Sequence, residues 1–174
     1  MAQALPRADG WTPLSRAKLL ALLVPAGLLG GAYFFQYGMG LPPCEMCYWQ
    51  RWAHMAGLAF AAAALLAGRM PDRGRSFVWL AALGILASGL IGFYHAGVEL
   101  DYFEGVTQCT ARGSTATGAE LLREILAAPL IRCDEVQWSW LGVSMAGWNA
   151  IISIGFALVI AWLLIRKPSV AHRL

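Results

Sequence analysis

Four stretches of this chain carry no charged residue: between Lys18 and Glu45, Arg51 and Arg69, Arg75 and Glu99, and Glu135 and Arg166. Apolar residues dominate each of them. A bilayer core of about 30 Å is crossed by roughly 20 apolar residues of helix, and each stretch is long enough, the second with help from its flanking turn. Backbone amides in lipid must be satisfied within their own segment, so such runs are helices. The pattern predicts spans at about 18–37, 46–68, 76–97 and 145–166, and hence an all-α, integral membrane four-helix bundle filling residues 1–174 as one domain. The first span is read as retained. It has the basic flanks of a signal peptide but no convincing small-x-small cleavage site, and its apolar run exceeds a usual signal core.

The chain is 59% hydrophobic and only 13% charged, about half the usual charge of a soluble domain. The positive charges are ordered. Arg7, Arg16 and Lys18 precede the first span, Arg69, Arg73 and Arg75 separate the second from the third, and Arg166, Lys167 and Arg173 follow the fourth. With four spans all of these fall on one side, which the positive-inside rule makes the cytoplasm, together with both termini. Arg51, Arg112, Arg123 and Arg132 remain for the other side. The net charge of +3 is therefore a topology signal and not a nucleic-acid footprint.

The long outer segment, about 98–144, has two parts. "DYFEGVTQCTARGSTATG" is rich in Gly, Ser and Thr and is expected to be mobile. "AELLREILAAPL" places Leu121, Leu122, Ile125 and Leu126 at helical spacing, which predicts a short amphipathic helix. It is expected to lie in the membrane interface, to pack on the bundle tops, or to do both. Trp138 and Trp140 are expected near the headgroups. Gly27 with Gly31, and Ser88 with Gly92, have the small-xxx-small spacing that lets helices approach closely. The spans carry little interior polarity beyond His54 and Pro25, which argues against a small-molecule transporter.

Cys44, Cys47, Cys109 and Cys133 all fall on the outer side, where disulfides persist. A zinc site is disfavoured because only one pair has knuckle spacing. Covalent haem needs His after the second cysteine, where Tyr48 stands. A structural staple explains Cys109 and Cys133 well, but a disulfide from Cys44 to Cys47 would close almost no loop. Redox chemistry remains for the second of these pairs, and its surroundings favour it. Pro42 and Pro43 can start a helix, and Cys44, Cys47, Arg51 and His54 then share one face. An arginine at about 6 Å, with an effective dielectric near 20, favours a Cys47 thiolate by about 2–3 kcal/mol, added to the helix dipole. Snorkelling to the headgroups is the other role open to Arg51. His54, one turn deeper, reads as a polar side chain bonded inside the bundle. His95, at cysteine depth, either faces a ligand or caps its helix.

These features together resemble the DsbB family of bacterial inner-membrane disulfide-forming proteins: four spans, a Cys-x-x-Cys with Arg four residues on at the outer start of span two, and a cysteine pair in the second outer loop. "YHAGVE" and "CDEVQWSWLGVSMAGW" also look like family segments, so the likeness covers nearly the whole chain. Gln50 stands where some members carry an acidic group. The resemblance implies a thiol:quinone oxidoreductase in the cell inner membrane. It would reoxidise a periplasmic thioredoxin-fold dithiol oxidase (DsbA-like) and pass the electrons to ubiquinone or menaquinone, with no metal. It implies that Cys109–Cys133 is the disulfide meeting the partner, with the mixed disulfide on Cys109. Cys133 would then attack Cys44 and release Cys47, which donates to quinone with help from Arg51. His95 and Met145 match family positions near the quinone. The alternatives are a vitamin-K-epoxide-reductase-like protein, whose motif lies at the end of a later span, and a non-catalytic membrane adaptor with stapled loops.

Overall fold

The structure is a computed structural model, and it describes residues 12–105, 118 and 132–166. Cys109 and the expected amphipathic helix lie outside the described residues. Four long helices account for most of the rest: α1 Pro13–Tyr33, α2 Glu45–Leu66, α3 Arg75–Glu99 and α4 Met145–Ile165. A π-helical turn, Phe34–Gly38, extends α1, and a short 3₁₀ turn, Ala67–Arg69, extends α2. Thr12 caps α1 by accepting from the Ser15 amide, and Pro13 follows at the first turn, where a missing N–H costs nothing. Pro25 sits inside α1 without ending it.

Helix α3 is central, packing on both α2 and α4 along their lengths, while α1 closes the bundle against α2 and α4. The core is built from small residues, with Ala17, Ala21, Ala61, Ala64, Ala81 and Ala157 packed around Val78, Ile85 and Ile160. The polarity is inverted relative to a soluble bundle. Leu83, Leu90 and Leu158 are 56%, 54% and 63% exposed, while Ser88 and Ser153 are fully buried. An outer surface of this kind fits hydrocarbon. The segments Pro13–Gly38, Arg75–Glu99 and Met145–Ile165 are long and apolar enough to cross a membrane. Helix α2 has the length, but its first turns carry Glu45, Gln50, Arg51 and His54. The molecule is a helical membrane bundle.

The predicted close approaches are corrected in part. A Cβ on Gly92 would lie 3.0 Å from the Ala146 carbonyl, so that glycine does seat α3 against α4. Gly27 and Gly31 have nothing within 4 Å. Their missing side chains open space instead of closing a helix contact. Gly84 and Gly89, which the spacing argument passed over, make the tight contacts to α2 and α4.

At the end away from the cysteines, basic residues satisfy helix-terminal carbonyls. Lys18 donates to the Ala64 carbonyl at 2.6 Å, and Arg75 donates to that of Leu164. Asp72 organises the α2–α3 turn. Its carboxylate accepts from the Gly74 amide and from the Ser76 amide and hydroxyl. Those bonds, the Ser76 hydroxyl first, hold it down to about 2. At the cysteine end, a two-residue hairpin pairs Ser139 with Ser144 and Trp140 with Val143. Leu141 and Gly142 both have positive φ, as a tight hairpin turn requires. The hairpin feeds directly into α4, where Ser144 is the N-cap.

Candidate active site

Cys44 is the N-cap of α2, in extended conformation after Pro42 and Pro43. Its Sγ accepts from the Cys47 amide at 3.3 Å, the part a serine oxygen usually plays. Its thiol donates to Cys47 Sγ at 2.9 Å. Cys47 thus sits in the first turn, with the partial positive charge of the helix start and a donor both directed at its sulfur.

Arg51 lies one turn further along and is 7% exposed. Its guanidinium donates to the Gln36 side chain and, at 3.1 Å, to the Ala32 carbonyl. It also lies 5.1 Å and 5.7 Å from the ring centroids of Tyr33 and Tyr48. A snorkelling arginine would leave its head exposed. This one is tied to α1 and faces the same cavity as both cysteines.

A chain of buried amides fixes the histidines. The Ser88 carbonyl and hydroxyl take hydrogen bonds from Asn149 Nδ2, at 3.2 Å and 3.1 Å. That nitrogen also donates to Gln50 Oε1 at 2.7 Å, which turns Gln50 Nε2 toward Met46 O and His95 Nδ1. Since Nδ1 of His95 is the acceptor at 2.9 Å, its neutral ring carries the proton on Nε2. That nitrogen is 3.6 Å from Cys44 Sγ and 3.9 Å from Glu99 Oε1. His95 faces the cysteines and is not a helix cap. On the other side, Asn149 Oδ1 accepts from His54 Nε2 and from the Ser153 hydroxyl, both at 2.9 Å. His54 is thus bonded inside the bundle, as expected. The expectation of an almost apolar interior fails, because Gln50, Ser88, Asn149 and Ser153 form one continuous network with the two histidines.

Cys133 is buried, packed with Cys44, Met46 and Val98. Its sulfur, the Cys44 sulfur and a ring nitrogen of His95 all lie within 4.8 Å of one another. Three such atoms could hold a metal ion, but with Gln50 donating to Nδ1 the facing nitrogen keeps its proton and is a donor, not a ligand. Arg132 and Asp134 flank Cys133 as an ion pair, and Arg132 holds the Asp134 carboxyl below the usual aspartate range.

These groups open on one cavity of about 400 Å³. Leu28, Phe35, Trp138 and Met145 supply apolar walls, and Gly27 and Gly31 leave room on the α1 side. Cys44, Cys47, Arg51, His95 and Met145 therefore share one chamber, and Cys133 lies against Cys44. Gln36, Gln50, Glu99 and Asn149 also belong to the site, with no role expected for them from the sequence. A detectable signal was present for Asn149 and Ser153, two polar residues four apart in an otherwise apolar helix.

The model of the disulfide bond formation protein DsbB matches residues 15–163. The chain belongs to the DsbB family. It is 33% identical over 167 residues to "Disulfide bond formation protein B" of Hahella chejuensis, covering 91% of this chain and 98% of that relative. Proteins of the same description from Idiomarina loihiensis and Xanthomonas axonopodis pv. citri are 31% and 30% identical. These cover 86% and 88% of this chain and 83% and 93% of the relatives. No solved structure matches the chain. Family membership makes this a disulfide-forming redox protein of the membrane.

Proposed function

We propose that this DsbB-family chain is a thiol:quinone oxidoreductase of the bacterial inner membrane. It reoxidises a DsbA-like thioredoxin-fold dithiol oxidase in the periplasm, with its termini in the cytoplasm and its cysteines outside. The observation that carries the reading is the cavity of about 400 Å³ into which a first-turn dithiol and a buried arginine both open. Its size and mostly apolar walls, with a few convergent polar groups, suit a quinone ring. Arg51 and the Nε2–H of His95 are the donors that would orient ring oxygens. Quinone, when bound, supplies the two-electron oxidation that returns Cys44 and Cys47 to a disulfide.

The protein's own part is to order the thiols. Cys109, on the outer segment, meets the partner and becomes reduced together with Cys133. The Cys133 thiolate then attacks Cys44 of the Cys44–Cys47 disulfide. One S–S bond forms as another breaks, and Cys47 leaves as a thiolate beside Arg51. Attack by Cys109 on Cys133 restores the outer disulfide and releases Cys44, so two electrons now rest on the Cys44–Cys47 pair. The burial of Cys133 against Cys44 supports this order.

The test is to add ubiquinone or menaquinone analogues to purified, reduced protein and record the visible spectrum and the loss of quinone absorbance. The expected result is quinone reduction that vanishes in Cys47→Ser. Reduction at the normal rate without Cys47, or none with all four cysteines present, would overturn the reading. In the second case a stapled adaptor would be favoured.

A further inference from the structure

Thiol oxidation and quinone reduction do not exchange protons in the same place. Partner thiols shed theirs at the aqueous loop. Conversion of quinone to quinol takes two protons inside an apolar chamber. The Cys44 thiol supplies one as Cys44–S–S–Cys47 forms and two electrons leave. The second has to enter from water.

Glu99 stands where that entry would be. It is the last residue of α3, and its side chain is 7% exposed. It lines the chamber of the cysteines, and it also lines a second cavity formed with Ala96, Leu100, Val136, Gly142 and Ser144. Among the described residues no other lines both. The second cavity lies at the outer surface, since Leu100 and Val136 on its rim are 64% and 46% exposed. Glu99 Oε2 is buried without a hydrogen-bond partner, a costly arrangement for a carboxyl with only a packing role. Glu99 Oε1 is 3.9 Å from His95 Nε2, which is in turn 3.6 Å from Cys44 Sγ. Because Gln50 holds Nδ1, His95 keeps its proton on Nε2, a fixed donor between the carboxyl and the thiol.

We propose that Glu99 is the proton port of the redox chamber, taking a proton from the outer cavity and delivering it to the side where Cys44 and quinone react, with His95 Nε2–H as a positioning donor beside it. The inference rests on the quinone reading above. A proton from outer water protonates the Glu99 carboxylate, and the carboxyl passes it on to the reduced acceptor through bridging water. His95 keeps its Nε2 proton throughout and acts as a fixed donor beside that path. No electron passes through either residue. The titratable and charged groups that share the chamber with Glu99 or act on it are His95 on its own helix, Cys44, Cys47, Arg51 and His54 from the start of α2, and Arg132, Cys133 and Glu135 from the outer segment. Helices α1 and α4 face it with no charge.

Three variants separate this role from packing. Glu99→Gln keeps the shape and should slow quinone reduction by the reduced enzyme at least tenfold. The quinone KM should stay within about twofold, and the loss should deepen as pH rises. Glu99→Asp should keep most of the rate. Glu99→Ala should be slow but accelerate with added formate, a small acid able to use the outer cavity. A readout free of quinone accompanies these: the infrared difference between dithiol and disulfide forms of the quinone-free protein. A protonated-carboxyl band that shifts in heavy water should be present in the native chain and missing in Glu99→Gln. A native rate and native pH profile in Glu99→Gln would overturn the port while leaving the quinone reading intact. So would a slow Glu99→Gln whose infrared difference is native and whose Ala counterpart ignores formate. A native chain that reduces no quinone would sink the functional reading, and the port with it.

Discussion

Arg51 shows how much one side chain can do when its head is held in place. Its guanidinium makes a fork to Gln36 and Ala32, so its head is fixed while its charge faces the chamber of Cys47. At an effective dielectric near 20 and about 6 Å, such a charge favours an adjacent anion by about 2–3 kcal/mol. Arg51→Ala should lower quinone turnover by roughly 30- to 100-fold and cut the thiolate fraction of Cys47, read from its alkylation rate with the other cysteines blocked. Arg51→Lys keeps the charge but loses the fork, and should retain part of the activity. Exchange between the outer cysteine pair and a partner dithiol should be unaffected in both. Native alkylation and native quinone kinetics in Arg51→Ala would leave the arginine a tie between α1 and α2 and nothing more.

Helices meet here through missing side chains, and two glycines make opposite predictions. A Cβ on Gly89 would fall 2.8 Å from Ile154 Cγ1 and 3.0 Å from the Ile154 amide nitrogen. Gly89→Ala should therefore overpack the α3–α4 seam and cost about 1–3 kcal/mol, seen as a lower thermal midpoint in detergent. Gly27→Ala meets open space, so its midpoint should stay native while its quinone KM rises. At the far end of α3, the Asp72 carboxylate is bound more strongly than its neutral acid form, because Ser76 and Gly74 donate to it. Its stabilising effect is present above the ordinary aspartate range and is lost as pH falls through about 2. Asp72→Ala should lower the thermal midpoint near neutral pH, and the gap should close as pH approaches that value.

The same elements show what was legible in the sequence. Charge gaps placed the four helices, because lipid solvation leaves few alternatives to a helix. Pro42 and Pro43 marked the start of α2, and period arithmetic put Cys47 and Arg51 together. Spacing alone could not say whether a glycine faces a helix or a cavity, so Gly27 and Gly31 were misread. Nor could it find Gln50 and Asn149. Their importance lies in a contact between α2 and α4, 99 positions apart in sequence. Glu99 escaped because a carboxyl at a helix end reads as surface until packing buries it.

At the scale of the whole molecule, the question is how four cysteines are kept to one order of exchange. Helix α2 supplies a first-turn pair in which Cys44 is buried at 3% exposure and Cys47 is only partly buried. The outer segment brings Cys133 back over α2 so that it lies in the Cys44 cluster, with its sulfur within 4.8 Å of Cys44 Sγ. A disulfide needs about 2.05 Å, so these two sulfurs have only a short way to close. In the proposed relay Cys44, which lies in the Cys133 cluster while Cys47 packs at its margin, is the sulfur that Cys133 meets. A chain reduced to that one pair by Cys47→Ser and Cys109→Ser should close a Cys44–Cys133 bond rapidly under mild oxidation, read as loss of both thiols to a maleimide that adds mass. A chain keeping only Cys47 and Cys133 should close more slowly, because the Cys133 sulfur is grouped with that of Cys44 while Cys47 packs only at the margin of their cluster. Equal rates would mean that placement does not choose the sulfur. The choice would then fall to leaving-group chemistry, in which the sulfur that departs as the better-stabilised thiolate leaves first. Arg51→Ala in the four-cysteine chain, with Cys44–Cys133 formation followed after reduction of the outer pair, distinguishes the two. If placement rules, that bond still forms on Cys44. If the thiolate rules, the attack spreads to both sulfurs.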